Sequence, residues 1–395
     1  MPFRSRPSYR SNIERRCHED ESTKARLKYD LWYRSFDREE GVYVYKGDKR
    51  YLMLSSNDYL GLSHHPKVIE AGQKALAKWG TSTTGARLAN GSRSIHGELE
   101  EKLASFLGKE DCMVFSAGYL SCMAAICTFS QMGDLILVDR NVHSSLWSGI
   151  KLSGARVERF GHNDPADLQD ILVSEKRDRA KIVVLEGVYS MEGHIAPIPQ
   201  IVDVGRPHGC FYILDDAHGL GVLGDRGQGT AGYLDCTHEV DVICGSLSKS
   251  LASTGGYVAG SKELIEYLRT HSKQAIFSAA ISPSQAAIAS ACIDILKTEP
   301  EHRERLWENT RYYKRLLNQL DVDTWDSETP AVPLVLGSRD RAYNVWRKLL
   351  KNGVFTVMAI APAVPPGKDL LRTAVSARHT AEDIDFAVEA LSKAL

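Results

Sequence analysis

Two short stretches place reactive side chains just past runs of apolar residues. Asp215-Asp216-Ala217-His218 follows Phe211–Leu214, and Gly245-Ser246-Leu247-Ser248-Lys249-Ser250 follows Val242–Cys244. A lysine set among small and hydroxyl residues is unusual for a surface charge, and an amine that sheds its proton attacks carbonyl carbon. A carboxylate at the end of a buried strand is costly unless a cation pairs with it. His218 lies three residues beyond Asp215 and can hydrogen-bond whatever Asp215 holds. Ser116-Ala117-Gly118-Tyr119 follows Met113–Phe115 and opens a helical pattern. The first backbone N–H groups of a helix, here those of Gly118 and Tyr119, suit a phosphate. His143, after Leu135–Val138, offers a flat ring for stacking.

An imine-forming lysine, a carboxylate for a ring nitrogen, a stacking ring and a phosphate-binding helix start are what pyridoxal phosphate (PLP) requires. Each residue also has a plainer reading. Asp215 or Asp216 can cap the next element, His143 can be structural, and the Gly118 segment can be an ordinary strand-to-helix turn.

Three other motifs are weaker. Gly219-Leu-Gly221-Val-Leu-Gly224 fits G-x-G-x-x-G, but Asp215–His218 separates it from the strand and Asp225-Arg226-Gly227-Gln228-Gly229 follows it. A dinucleotide site needs a strand before and a helix after. Ser246-Leu-Ser-Lys249 fits S-x-x-K without the S-D-N and K-T-G partners of acylating serine enzymes. The acidic box has no phosphate-cradling G-x-x-x-x-G-K-[ST] to make an ATPase. No H-E-x-x-H pair is present, and His64-His65 reads as surface loop, so no metal is expected.

The elements that must position these groups are short apolar runs: Met113–Phe115, Leu135–Val138, Ile182–Leu185, Phe211–Leu214, Val242–Cys244 and Tyr257–Ala259. Such runs suit strands buried on both faces of a mostly parallel sheet. Helical patterns alternate with them, as in His96–Leu107, closed by Gly108. Past residue 296 a charged helix (Glu301–Gln319) leads to strands near Val332–Leu336 and Leu371–Val375. A last helix begins near Thr380, with Asp383 completing a capping box. The expected organisation is an extension and arm over residues 1–50, a large PLP-binding α/β domain over 51–295 and a smaller C-terminal α+β domain over 296–395.

The chain has 395 residues, 43% apolar and 25% charged, with a formal charge of −1. Nothing in that balance points to nucleic acid or a membrane surface. No apolar run approaches the ~20 residues of a membrane span. The eight cysteines form no C-x-x-C pair and suit buried thiols in a reducing, cytoplasmic setting. The arginines among the first sixteen residues precede Glu19-Asp20-Glu21, which fits a solvated tail better than a transit peptide.

Seven ordered stretches from Leu52 onward resemble the α-oxoamine synthases, a branch of the fold-type I PLP enzymes. They are Ser56–Leu62, Thr84–Arg87 with Asn90-Gly91, Val188–Gly193, the D-D-A-H box, S-L-S-K-S, Ile276-Phe277-Ser278 and Leu371-Arg372. The resemblance implies that Lys249 binds PLP as a Schiff base and moves protons. It implies that Asp215 pairs with the pyridine nitrogen, His218 with the phenolic oxygen, and that His143 stacks on the ring. Gly118, Tyr119 and Ser246 would contact the phosphate, with Ser278 reaching it from a partner subunit in a homodimer. Arg372 would hold the amino-acid carboxylate, with Ser190 and Asn57 lining the site. The implied reaction condenses an amino acid with an acyl-CoA or acyl-carrier-protein thioester, with loss of CO₂, to give an α-amino ketone.

Within the family, Ala71–Leu76, Val184–Met191 and Met358–Gly367 are similar to the serine palmitoyltransferase branch. D-D-A-H-G is nearer the 8-amino-7-oxononanoate synthase branch. Ile360 stands where an arginine is usual and His194 where an aspartate is usual. A glycine C-acetyltransferase-like activity, an aminotransferase or lyase, and a non-catalytic partner subunit stay open as alternatives; Lys249 argues against the last.

Overall fold

The apolar runs become the middle of one seven-stranded sheet in the computed structural model, which describes residues 12–17 and 33–395. Most of the basic N-terminal tail lies outside the described residues; residues 12–17 form an exposed helical turn. Strands β1 (Arg38–Glu40), β2 (Tyr43–Lys46) and β3 (Lys49–Met53) then make an antiparallel meander.

The large sheet contains β4 (Asp111–Phe115), β5 (Leu135–Asp139), β6 (Arg156–Phe160), β7 (Lys181–Glu186), β8 (Cys210–Asp215), β9 (Val242–Ser246) and β10 (Gly256–Gly260), in the order β4-β10-β9-β8-β7-β5-β6. Pairs β5–β6, β5–β7, β7–β8 and β8–β9 are parallel, and β10 runs antiparallel to both β4 and β9. All five residues of β5 are buried, as are the last five of β7, because helices cover both faces. β6 was not expected from its residues. It lies at the edge, and Arg156, Glu158 and Arg159 break the apolar pattern that marks the central strands.

Chain order and sheet order part between β4 and β5, which follow each other in sequence but stand on opposite sides of β8. Open α/β sheets bind ligands in the crevice that such a reversal leaves at the strands' carboxyl ends. The helix expected at His96 starts two residues earlier, spans Ser94–Leu107, and ends on Gly108 in the left-handed region (φ 70°). The Gly219–Gly224 run is a turn: Gly221 N–H donates to Gly227 O at 2.7 Å, and no helix opens at Gly224.

The helix Pro283–Thr298 runs unbroken through residue 295 and packs on the helices Pro66–Trp79 and Ser94–Leu107. The charged helix Glu301–Asn318 follows. Then β11 (Ala331–Gly337), β12 (Val354–Phe355), β13 (Val357–Ala359) and β14 (Asp369–Ala374) appear, with β14 central in an antiparallel β11-β14-β13 sheet. The helix Arg339–Lys351 packs on that sheet. Thr380 and Asp383 form the expected capping box of the last helix, Ala381–Ala394. The cysteines are unpaired, and Cys112, Cys122, Cys236, Cys244 and Cys292 are buried.

Candidate active site

The carboxyl ends of β4, β5, β7, β8 and β9 open on a cavity of about 410 Å³. Lys249, Asp215, His218, His143, Gly118, Tyr119, Ser190, Ser246, Asn57 and Arg372 all line it. Ser278 does not; it follows the exposed Phe277 at the end of a short helix. Among the residues expected from sequence, it is the one that its own chain leaves outside.

Lys249 sits on a loop stitched at both ends. Leu247 N–H donates to Gly255 O and Ser253 N–H to Leu247 O, each at 3.0 Å, and Ala252 N–H donates to Lys249 O at 2.9 Å. Burial lowers the lysine's pKa, although Asp215 and Glu186 pull it the other way. An amine biased toward its neutral form is a nucleophile and a proton acceptor. Asp215 ends β8 beside Glu186, which ends β7 in register with it. One Asp215 oxygen accepts from Ala217 N–H at 3.1 Å. Glu186 is one of two site residues that sequence reasoning missed. Burial, then Asp215 and Glu192, raises its pKa well above the usual range, and it accepts the His143 N–H. The Asp215 charge beside it favours the uncharged form of Glu186.

His143 caps the helix Ser144–Ser153. Its Nδ1 accepts from Ser145 N–H (3.3 Å) and stands 2.8 Å from Ser145 Oγ, which leaves hydrogen on Nε2. Burial lowers its pKa, favouring a neutral ring that can stack. Tyr119 meets that ring edge-on, centroids 6.2 Å apart.

Tyr59 had no assigned role, yet it ties two site residues together. Arg372 Nη2 donates to its oxygen at 3.1 Å, and that oxygen stands 2.8 Å from His218 Nδ1. Arginine only donates, so the tyrosine's own hydrogen goes to Nδ1, and His218 carries its hydrogen on Nε2. Burial, with Lys249 and Arg372 nearby, holds the His218 pKa well below the usual value. The ring is therefore a neutral Nε2–H donor. Arg372 projects from β14, is 6% exposed, and is fixed further by Nε donating to Ser190 O at 2.7 Å.

At the opposite wall the helix Gly118–Phe129 begins. A Cβ on Gly118 would stand 2.7 Å from Ser246 Cβ, so only glycine lets this helix start lie against the end of β9. The N–H groups of Gly118 and Tyr119 have no acceptor inside the helix. Asn57 Oδ1 is buried and without a partner. An amine biased toward its neutral form, a buried carboxylate, an Nε2–H donor and an open helix start fit the aldehyde, pyridine, phenol and phosphate of PLP. A second cleft of about 560 Å³ shares His143, Glu186, Ser190 and Met191 with the first and extends along Arg140, Trp147 and Ala361–Pro366.

The chain's relatives agree with this chemistry. Residues 49–391 match the family model for aminotransferase class I and II. A serine palmitoyltransferase of Sphingobacterium spiritivorum is 39% identical, covering 91% of this chain and 90% of the relative. An 8-amino-7-oxononanoate synthase of Bacillus subtilis is 37% identical, covering 90% of each. Among solved structures, the Sphingomonas wittichii serine palmitoyltransferase superposes with a TM-score of 0.94 at 31% identity over 98% of both chains. A serine palmitoyltransferase from S. paucimobilis with PLP and myriocin bound also gives 0.94, at 32% identity over 98% of both chains. The chain belongs to the α-oxoamine synthase family, the fold-type I PLP-dependent C-acyltransferases.

Proposed function

We propose that this enzyme condenses an amino acid with an acyl thioester, releasing CO₂ and giving an α-amino ketone, in the manner of serine palmitoyltransferase. The observation that carries the reading is the meeting of Lys249, Asp215, His218 and Arg372 around one cavity that shares a wall with a second, larger cleft. The same reading takes the enzyme as a cytoplasmic homodimer, with Ser278 supplied to the partner's phosphate site. No helix among the described residues is long and apolar enough to cross a membrane.

Bound PLP supplies an electron sink that stabilises negative charge at the α-carbon of an amino acid joined to it. Lys249 would anchor the group through Nζ, and the same nitrogen would take the substrate's α-proton; its lowered pKa suits that task. Asp215 would keep a proton at the pyridine nitrogen. His218 would donate Nε2–H to the phenolic oxygen, and His143 would cover the ring and exclude water from it. Gly118, Tyr119 and Ser246 would hold the phosphate. Arg372 clamps the substrate carboxylate, a task suited to a planar guanidinium. Ser190, on the cofactor's side, and Asn57, toward the substrate, would line the site. The acyl thioester, carried by CoA or a carrier protein, enters along the second cleft.

The test is turnover. PLP-loaded enzyme is incubated with single amino acids and acyl thioesters, and CO₂ and free thiol are measured. Equal release of both, lost in Lys249→Ala, is expected. Amino-group transfer or elimination without thioester use would replace this reading with an aminotransferase or lyase.

A further inference from the structure

Away from the cavity, three helix ends converge. His65 caps the start of Pro66–Trp79, Glu299 caps the end of Pro283–Thr298, and His302 lies in the first turn of Glu301–Asn318. Glu299 and His302 stand three residues apart across the Pro300 junction between two helices, with Glu299 in a non-helical conformation (φ −129°, ψ 71°). His65 Nε2 stands 3.3 Å from Glu299 Oε2, and His302 Nε2 stands 3.5 Å from the same oxygen. The candidate ligand atoms of all three residues lie within 4.8 Å of one another.

These separations are long for N–H···O hydrogen bonds, which centre near 2.9–3.0 Å. They match a different geometry. A tetrahedral zinc centre with bonds of about 2.0–2.1 Å has ligand–ligand edges of about 3.3–3.4 Å. The two imidazole rings approach edge-on, 5.6 Å between centroids, so neither blocks the other's Nε2. His65 Nδ1 is buried without a partner, so Nε2 is the ring's polar face toward its neighbours. Lys67 Nζ occupies the other oxygen, Oε1, at 2.5 Å, and its hydrogen bond holds the Glu299 carboxyl below the usual range, as a carboxylate ligand requires. The side chains are 15%, 18% and 23% exposed, which leaves room for water as a fourth ligand.

We propose that His65, Glu299 and His302 form a divalent-metal site of the zinc type that clamps three helix ends. It holds two nitrogens, one oxygen and a water, and takes no part in the PLP chemistry.

The test uses the full-length PLP-loaded enzyme, stripped of metal with a chelator and dialysed against ZnCl₂ or MgCl₂. One zinc per chain is expected, with a raised Tm and no response to magnesium. His302→Gln, which keeps the helix and the cofactor absorbance, is expected to weaken zinc binding at least tenfold and abolish the Tm rise. Cobalt(II) separates this site from the cysteines, since a thiolate site adds a sulfur charge-transfer band and this one does not. The proposal is overturned if the wild type binds no zinc at tens of micromolar. It is equally overturned if His302→Gln and Glu299→Gln bind zinc as the wild type does, or if the cobalt spectrum carries the sulfur band.

Discussion

Tyr59 fixes the tautomer of His218. Its hydroxyl accepts from Arg372 and so has only its own hydrogen to give to Nδ1, which turns Nε2–H toward the cavity. One phenol thereby couples the residue proposed to hold substrate carboxylate to the residue proposed to hold the cofactor's phenolic oxygen. Tyr59→Phe leaves Nδ1 without its donor and frees both tautomers. A buried group left unpaired costs about 1–3 kcal/mol. The expected outcome is a roughly tenfold to hundredfold fall in kcat/KM and a pH-shifted cofactor band, with PLP still bound; an unchanged band in a spectrophotometric pH titration would sink the assignment.

Arg372→Lys keeps the charge and loses the fork. A lysine cannot reproduce donation from Nε to Ser190 O together with Nη2 to Tyr59. KM for the amino acid should rise by about ten- to a hundredfold, corresponding to about 1.4–2.7 kcal/mol, with a smaller effect on the KM of the thioester. Steady-state kinetics with each substrate varied in turn checks this.

Gly118→Ala drives a methyl into Ser246 Cβ and Oγ, each at 2.7 Å from the new atom. The helix start must retreat from the end of β9. Overpacking of this kind destabilises by about 1–3 kcal/mol. PLP affinity, followed by equilibrium dialysis, should fall further than the Tm of the cofactor-free protein if this helix start holds the phosphate.

Asp216 lies beside the site, and its two oxygens accept Thr230 N–H at 2.7 Å and Thr230 Oγ–H at 2.6 Å. Burial still pushes its pKa up from 3.8 to about 6. A carboxyl whose folded pKa is raised stabilises the fold below its unfolded pKa, and that contribution fades as pH rises through the folded value. Between pH 4 and 7 the wild type should lose about 2 kcal/mol relative to Asp216→Asn, whose amide can still serve both Thr230 groups. Paired thermal melts across that range decide it; a constant gap between the two proteins excludes the titration.

The central strands were readable because burial on both faces leaves almost no polar residue in them; β7 reads Lys-Ile-Val-Val-Leu-Glu. β6 escaped because an edge strand tolerates arginines. Asp215, Lys249 and His218 were legible since each closely follows a buried strand and their chemistry has few other uses there. Glu186 and Tyr59 lie within the family-like stretches Val184–Met191 and Ser56–Leu62, where no role is legible. Their meaning lies in partners far along the chain: Glu186 meets Asp215 across β7 and β8, and Tyr59 meets His218 from 159 residues away. Periodicity reports which face is buried, and it is silent about which buried polar groups meet.

The stitched loop around Lys249 has its own consequence. With Leu247 bonded to both Gly255 and Ser253, and Ala252 bonded back to Lys249 O, the backbone at the lysine behaves as a fixed post. Only the four methylenes of the side chain are left to swing. In the proposed role of Lys249, each turnover would move only an amine on a short tether and return it to the same place, with no section of chain having to open or refold.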